Sequence, residues 1–394
     1  MRRRFAIAAA ATLAILACGN PTASSTKPSA APASPAPSSS ATGSGKDVLF
    51  AALEPGGDLT AMKDTAVAIV QTNGTARAKT RFSARQLPRV GNALPLAQPE
   101  ARVAAGKVYF VDAAGAVRSL SAEGTVASVT SLPLTGPQQL LSFVVSPDGT
   151  QVLATLFSFP PVHVPPPQTP IDPPFGPGDF MLQVLSARAG QQSPTVLARR
   201  NWPQSAGLPH DALSMVGWTA DGPLATVDTA LGTQEGSLGR AMFGHVAVLD
   251  TAGRPGPPLA GYSCDPWSVL SDETVLCDDD GQQRNFSVRG RDGSVRYRFH
   301  TTGDVQYLDL VLAPDASRVV YLPTGGKAQV TDSTGRTTQL PASFKPEGWL
   351  DPTTVVGVLQ SDQGEGDMAL VQLARPTRLQ DLGFHGYFVG VVQN

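Results

Sequence analysis

L-S-F-V-V-S-P-D-G-T-Q-V-L-A-T-L-F, from Leu141 to Phe157, is two apolar runs joined by a tight polar turn. Pro147 presets its own φ, Asp148 bonds back to the backbone, and Gly149 accepts a positive φ without steric cost. The stretch therefore predicts an antiparallel hairpin. The same turn slot recurs at Thr219-Ala220-Asp221-Gly222, Ser271-Asp272-Glu273-Thr274, Ala313-Pro314-Asp315-Ala316 and Leu350-Asp351-Pro352-Thr353. Ala104-Ala105-Gly106 fills it earlier in the chain. Between these turns lies a second one, ending in Gly74, Gly124, Gly190, Gly253, Gly293 and Gly335. A last copy, L-V-Q-L-A-R-P-T, ends in Thr377 and lacks the glycine.

Two hairpins per unit make four strands, and the units repeat about every 40–50 residues, the pattern of propeller blades. Past the first eighteen residues no long stretch has helical periodicity. The expectation is an all-β, seven-bladed β-propeller of four-stranded antiparallel blades over 47–394. With strands lettered A to D from axis to rim, blades 2 to 7 fall at about 99–134, 138–200, 208–260, 262–300, 305–343 and 345–383. Asp47–Ser83 supplies strands B, C and D of blade 1 but no A, and His385–Asn394 is one apolar strand without partners. Joined, the N- and C-terminal strands complete one blade and close the ring. The S-P-D-G turn and its flanking strands resemble the repeats of TolB-like and WD-repeat-like propellers. The G-H and W-D dipeptides of regulatory WD repeats are missing, which favours the bacterial class.

The first eighteen residues carry an address. Met1-Arg2-Arg3-Arg4 is followed by an apolar run, Phe5 to Ala17, then Cys18 and Gly19. With Ile15-Leu16-Ala17-Cys18 at the cleavage point, this resembles a bacterial lipoprotein signal, too short to span a bilayer as a mature helix. The resemblance implies a signal peptide over 1–17, lipid on the Cys18 sulfur and a location on the extracytoplasmic side of the membrane. Gly19 to Lys46 is nearly all Ser, Ala, Pro, Thr and Gly, with no apolar surface to repay ordering, so 18–46 reads as a lipidated cysteine and disordered linker. Gly43-Ser44-Gly45-Lys46 is not a phosphate loop, because Asp47 follows the lysine.

The 394 residues carry a net charge of −2 and only 16% charged residues, where about 25% is typical. A basic face for nucleic acid is absent from such a composition. With Cys18 assigned to lipid, Cys264 and Cys277 form an even remainder and suggest one disulfide; the alternative is two small buried thiols.

Catalytic and metal motifs do not emerge. His163, His210, His245, His300 and His385 lack metal-ligand spacing. Gly261-Tyr262-Ser263-Cys264-Asp265 departs from G-x-S-x-G at its last position. Cys277-Asp278-Asp279-Asp280-Gly281 is acidic enough for calcium but lacks the alternating spacing, so a solvated turn is expected. Trp218, Trp267 and Trp349 are expected to pack between blades. No catalytic residue, metal or cofactor is assigned.

The B–C connections are the more informative feature. Phe159–Gly178 and Thr229–Gly244 are long and belong to neighbouring blades 3 and 4, while Pro55–Asp64 and Ser361–Asp367 belong to blades 1 and 7. Long loops on a rigid scaffold commonly carry function. His163, Phe175, Arg240, Phe243 and His245 are the large or polar residues in or beside otherwise small-residue loops, and become the contact candidates. The sequence thus points to a lipid-anchored binding module facing an envelope protein or glycan, with an envelope hydrolase or lyase as the alternative.

Overall fold

A computed structural model of the chain describes residues 48–54, 64–85, 101–136, 138–161, 177–203, 212–229, 233–234, 237–238, 245–259, 264–270, 272–361 and 364–392. Cys18, His163, Phe175, Arg240 and Phe243 lie outside them. The strands are β1–β3 (Leu49–Glu54, Thr65–Gln71, Ala76–Phe82), β4–β7 (Ala101–Ala104, Lys107–Val111, Ala116–Ser121, Val126–Ser131) and β8–β11 (Gln139–Val145, Gln151–Ser158, Asp179–Arg188, Thr195–Pro203). Next come β12–β13 (Ala212–Thr219, Gly222–Thr229), the short pair β14–β15 (Thr233–Gln234, Ser237–Leu238) and β16–β17 (Val246–Leu249, Pro255–Pro258). β18–β21 (Asp265–Val269, Val275–Asp278, Asn285–Arg289, Val295–His300) and β22–β25 (Val305–Leu312, Arg318–Pro323, Gln329–Asp332, Thr337–Gln339) follow. β26–β29 (Phe344–Asp351, Thr354–Ser361, Gly364–Gln372, Leu379–His385) and β30 (Tyr387–Val392) complete the chain.

These strands form a seven-bladed β-propeller with four antiparallel strands per blade, and the described residues hold no helix. Blade 1 has the order β3-β2-β1-β30, so the last strand of the chain is the innermost strand of the first blade. Leu49 pairs with Val392 and Leu53 with Tyr387. Blade 4 is β12-β13-β16-β17, with β14–β15 a separate two-stranded sheet in its B–C connection.

The turns are built as their residues dictate. Asp148 accepts from the Thr150 amide at 3.0 Å, Asp315 from Ser317 at 3.0 Å and Asp351 from Thr353 at 2.7 Å, each two residues on. In the outer hairpins one bond pattern repeats: Gly253 donates to the Asp250 carbonyl and Gly335 to that of Asp332, both at 2.9 Å. Gly74 has a further reason to lack a side chain. A Cβ there would sit 1.9 Å from the Leu382 carbonyl oxygen of blade 7, because this turn leans on the neighbouring blade's outer strand.

Alternating side chains fill the spaces between blades. Phe50, Phe110, Phe143, Phe180, Phe286, Tyr321 and Phe344 are among the largest fully buried side chains. Each removes enough apolar surface from water to stabilise the fold by about 1.5–3 kcal/mol. Trp349 packs between blades 6 and 7 as expected, 4% exposed, and Trp218 lies half-buried against the blade 3–4 core. The side chain of Trp267 lies outside the described residues.

The innermost strands leave backbone groups facing the axis, and side chains from neighbouring blades occupy several of them. Arg102 Nε donates to the Phe143 carbonyl at 3.1 Å, and Trp349 Nε1 to that of Val311 at 3.1 Å. The Met215 amide donates to Ser142 Oγ at 2.8 Å and the Phe388 amide to Glu347 Oε2 at 2.7 Å.

Deleting Gly386–Asn394 is expected to open the ring at blade 1 and remove at least about 5 kcal/mol, the lower end of a domain's whole stability. Calorimetry should show one transition at much lower temperature; an unchanged melting temperature would refute the closure.

Candidate functional site

The A–B and C–D turns lie on one face of the ring, and the B–C and D–A connections on the other. The second face carries the candidate site. At blade 3 its base is aromatic. β9, β10 and β11 run to 8, 10 and 9 residues, longer than the 4- and 5-residue β19 and β20 of blade 5. On this extension Phe157 packs against Phe180 and Trp202, with ring centroids 6.0 and 6.2 Å apart.

Phe159 was expected in the loop, yet it is only 4% exposed and belongs to the blade 3–4 core, its amide bonded to the Gln138 carbonyl at 3.0 Å. Gly178 returns beside it, so close that a Cβ would lie 3.5 Å from the Pro160 Cβ. The connection therefore leaves and rejoins the fold at one point, and its ends are Pro160 and Gly178.

His245 is the contact candidate that the described residues include. It is half-buried at the start of β16, and its carbonyl accepts from the Val227 amide at 2.8 Å. The expected Ser361–Asp367 loop of blade 7 is instead a continued hairpin: β27 reaches Ser361, which pairs with Gly364 at the start of β28. Strand pairing there satisfies the backbone that a loop would leave to water.

The acidic run of blade 5 is more structured than a solvated turn. Asp278 is 3% exposed. It accepts from the Gly281 amide at 3.1 Å and from the Gln283 amide at 3.0 Å, which folds the turn around it. Burial pushes its carboxyl above the ordinary value, against those bonds. Asp279 accepts from Ser287 Oγ and Arg289 Nη2, both at 2.6 Å. Asp280 accepts from the Asn285 amide nitrogen and the Gln282 backbone, in that order of effect, and these hold it below the ordinary value. Asn285 Oδ1 in turn lies 2.8 Å from His300 Nδ1.

This Asp280–Asn285–His300 chain was not visible in the sequence, because the turn and the outer strand that it joins meet only in the folded blade. Among the described residues no hydroxyl or thiol is bonded to His300. The chain orients an exposed imidazole without giving it a nucleophile to activate. Nor do the described residues contain a cluster of three His, Cys, Asp or Glu side chains set to hold a metal.

Cys264 and Cys277 are joined by a disulfide, with Cα atoms 5.3 Å apart. Cys277 is fully buried beside Val275, Leu259 and Val269. The bridge ties the approach to strand A of blade 5 to its strand B.

No family model matches this sequence, and no curated protein resembles it. Solved structures resemble it in architecture. An acylaminoacyl peptidase from Pyrococcus horikoshii shares 10% identity at a TM-score of 0.49, over 81% of this chain and 48% of that one. An oligogalacturonate lyase from Vibrio parahaemolyticus shares 7% at 0.48, over 82% and 90%. A TolB-like protein from Agrobacterium tumefaciens shares 11% at 0.37, over 88% and 98%. The likeness is one of fold alone.

Two measurements check this geometry. Replacing both Cys264 and Cys277 by Ser should cost at most about 3 kcal/mol for so short a closed loop. Two free thiols in protein purified without reductant would overturn the bridge. Carboxyl NMR should find Asp278 titrating above Asp280. A raised folded pKa means that the charged form of Asp278 opposes folding at neutral pH, a cost relieved as pH falls through that pKa. The lowered pKa of Asp280 means the reverse: stability present above the unfolded value of 3.8 and lost as pH falls through the folded one. The opposite order would refute the burial argument.

Proposed function

We propose that the chain is a lipid-anchored, extracytoplasmic binding module of the bacterial cell envelope, and that the B–C face takes its protein or glycan partner. Cys18 supplies the anchor, and the segment to Lys46 is the tether. His163, Phe175, Arg240, Phe243 and His245 are the contact residues of this reading.

One observation supports the location of the face. The connection whose ends are Pro160 and Gly178 and the one whose ends are Thr229 and His245 belong to adjacent blades, 3 and 4. The strand ends that bear them share one apolar core, in which Phe157, Phe159, Leu213 and Val227 are buried together. A rigid base under two long connections is the arrangement that presents loops to a partner at low entropic cost. The polar cluster of blade 5, by contrast, commits its carboxylates to its own turn and to the outer strands of its own blade.

The test keeps Phe159, Pro160 and Gly178 and replaces 161–177 by a short Gly-Ser turn. Shortening a surface connection changes closure entropy by under about 1 kcal/mol, so melting should hold while capture of the partner that co-purifies with the wild type falls. Retention of every partner by the folded variant would move the binding face elsewhere. Turnover of a sugar, peptide or ester by the purified protein would replace the binding module by an envelope enzyme. Mass spectrometry showing an unmodified Cys18 in the mature protein would remove the anchor.

A further inference from the structure

The outer turn of blade 7 breaks the repeat. In blades 4 and 6 this turn reads D-T-A-G-R, 250–254, and D-S-T-G-R, 332–336, with an acid at its first position and an arginine at its last. The acid organises the arginine. Asp250 accepts from the Arg254 amide and from Arg254 Nε, both at 2.9 Å, and Asp332 accepts from the Arg336 amide at 3.1 Å. Blade 7 has Q-L-A-R-P-T-R, 372–378, in the same place between β28 and β29. Gln372 stands where Asp250 and Asp332 stand, Arg378 keeps the last position, and the longer turn adds a second cation, Arg375.

The longer turn is held by its own backbone. Arg375 donates its amide to the Gln372 carbonyl and Arg378 its amide to the Arg375 carbonyl, both at 2.9 Å, and Pro376 fixes its own φ between them. Beside the turn lies a cavity of about 200 Å³, lined by Leu370, Gln372, Arg375, Arg378, Leu379 and Gln380. Leu370 is buried in the core that blade 7 shares with blade 1. Gln380 Nε2 donates to the Thr72 carbonyl at 2.8 Å, which ties one wall of the cavity to the outer turn of blade 1.

The cavity is cationic and nothing in it answers the charge. No carboxylate lines it, and among the described residues neither Arg375 nor Arg378 is paired with one. Asp381, the next residue along β29 from Gln380, alternates to the other face of the strand and accepts from the Gly383 amide at 2.8 Å.

We propose that this cavity binds a phosphate group, held between the Arg375 and Arg378 guanidinium groups. The match is one of charge, donors and size. Two unpaired guanidiniums suit a group that carries about −1.5 to −2 charge near neutral pH, where a carboxylate would answer only one of them. Their planar forks fit phosphate oxygens bidentately, and the Gln372 amide supplies a further donor. The volume is below the roughly 300–1,000 Å³ of whole small-molecule sites, so the cavity takes the phosphate and leaves its carrier outside. Free phosphate and the headgroup of a membrane lipid share this chemistry. The outer turns lie on the face opposite the B–C connections, so the site depends neither on the partner reading nor on the anchor.

The test is calorimetric titration of the full chain with inorganic phosphate near neutral pH, with sodium chloride at matched ionic strength as the blank. Saturable binding is expected, weakened about tenfold or more by Arg375→Gln and by Arg378→Gln, each of which removes charge-assisted hydrogen bonds. Gln372→Asp restores the acid of blades 4 and 6 and should weaken binding as much while both arginines remain. Arg254→Gln, at the matching turn of blade 4, should leave it unchanged. All four substitutions are at exposed side chains, and melting temperatures that match the wild type separate lost binding from lost folding. Co-flotation with phosphatidylcholine vesicles containing phosphatidate, against phosphatidylcholine alone, identifies the source. An excess on phosphatidate that Arg378→Gln removes, without binding of free phosphate, assigns the site to the lipid. No saturable binding of either source, equal affinity in Arg378→Gln, equal weakening by Arg254→Gln, or displacement of phosphate by chloride at equal concentration would each overturn the proposal.

Discussion

The pairing of β1 with β30 is the contact on which the other blades depend. It joins the two ends of the described chain, so it is the least local strand contact among the described residues. Every blade packs its apolar faces against two neighbours, and an open ring would leave two such faces in water. In the closed ring Phe50 and Phe388 meet at the seam, 6.1 Å between centroids, and β30 also packs against the inner strands of blades 2 and 7. Closure is thus a condition for burial around the whole ring, which is why one short strand at the end of the chain carries so much of the stability.

Closing the ring leaves each blade with an inner and an outer edge, and the protein treats them differently. At the axis the edges are close enough for neighbouring side chains to serve them, as Arg102, Ser142, Glu347 and Trp349 do. At the rim the blades diverge, and protection falls to charge, to proline and to the leaning of one blade's turn on the next. Gly74 against Leu382 and Gly190 against Val129 are two instances of that leaning.

Aspartate has two physical uses in this molecule. In the A–B turns it is a local device, its carboxylate bonded two residues on. In blade 5 the same residue type reaches further: Asp278 is buried and organises a whole connection, Asp279 joins two arginines, and Asp280 begins a chain that ends on an exposed imidazole. A run of acidic letters does not distinguish these outcomes, because the difference lies in which strand comes to stand beside each carboxylate.

The sequence by itself determined the strands, their turns and their number per blade, because alternation of apolar residues and the φ demands of Gly, Pro and Asp act within a few residues. It also determined that His385–Asn394 needed a partner that only the N-terminal blade lacked. The Cys264–Cys277 bridge was legible as an even remainder, though the buried place of Cys277 was not. Only the tertiary structure decided that Phe159 is core rather than loop, that Ser361–Asp367 continues a hairpin, and that Asn285 and His300 meet Asp280. These depend on distances between strands far apart in the chain, and local periodicity carries no record of which blade will stand against which.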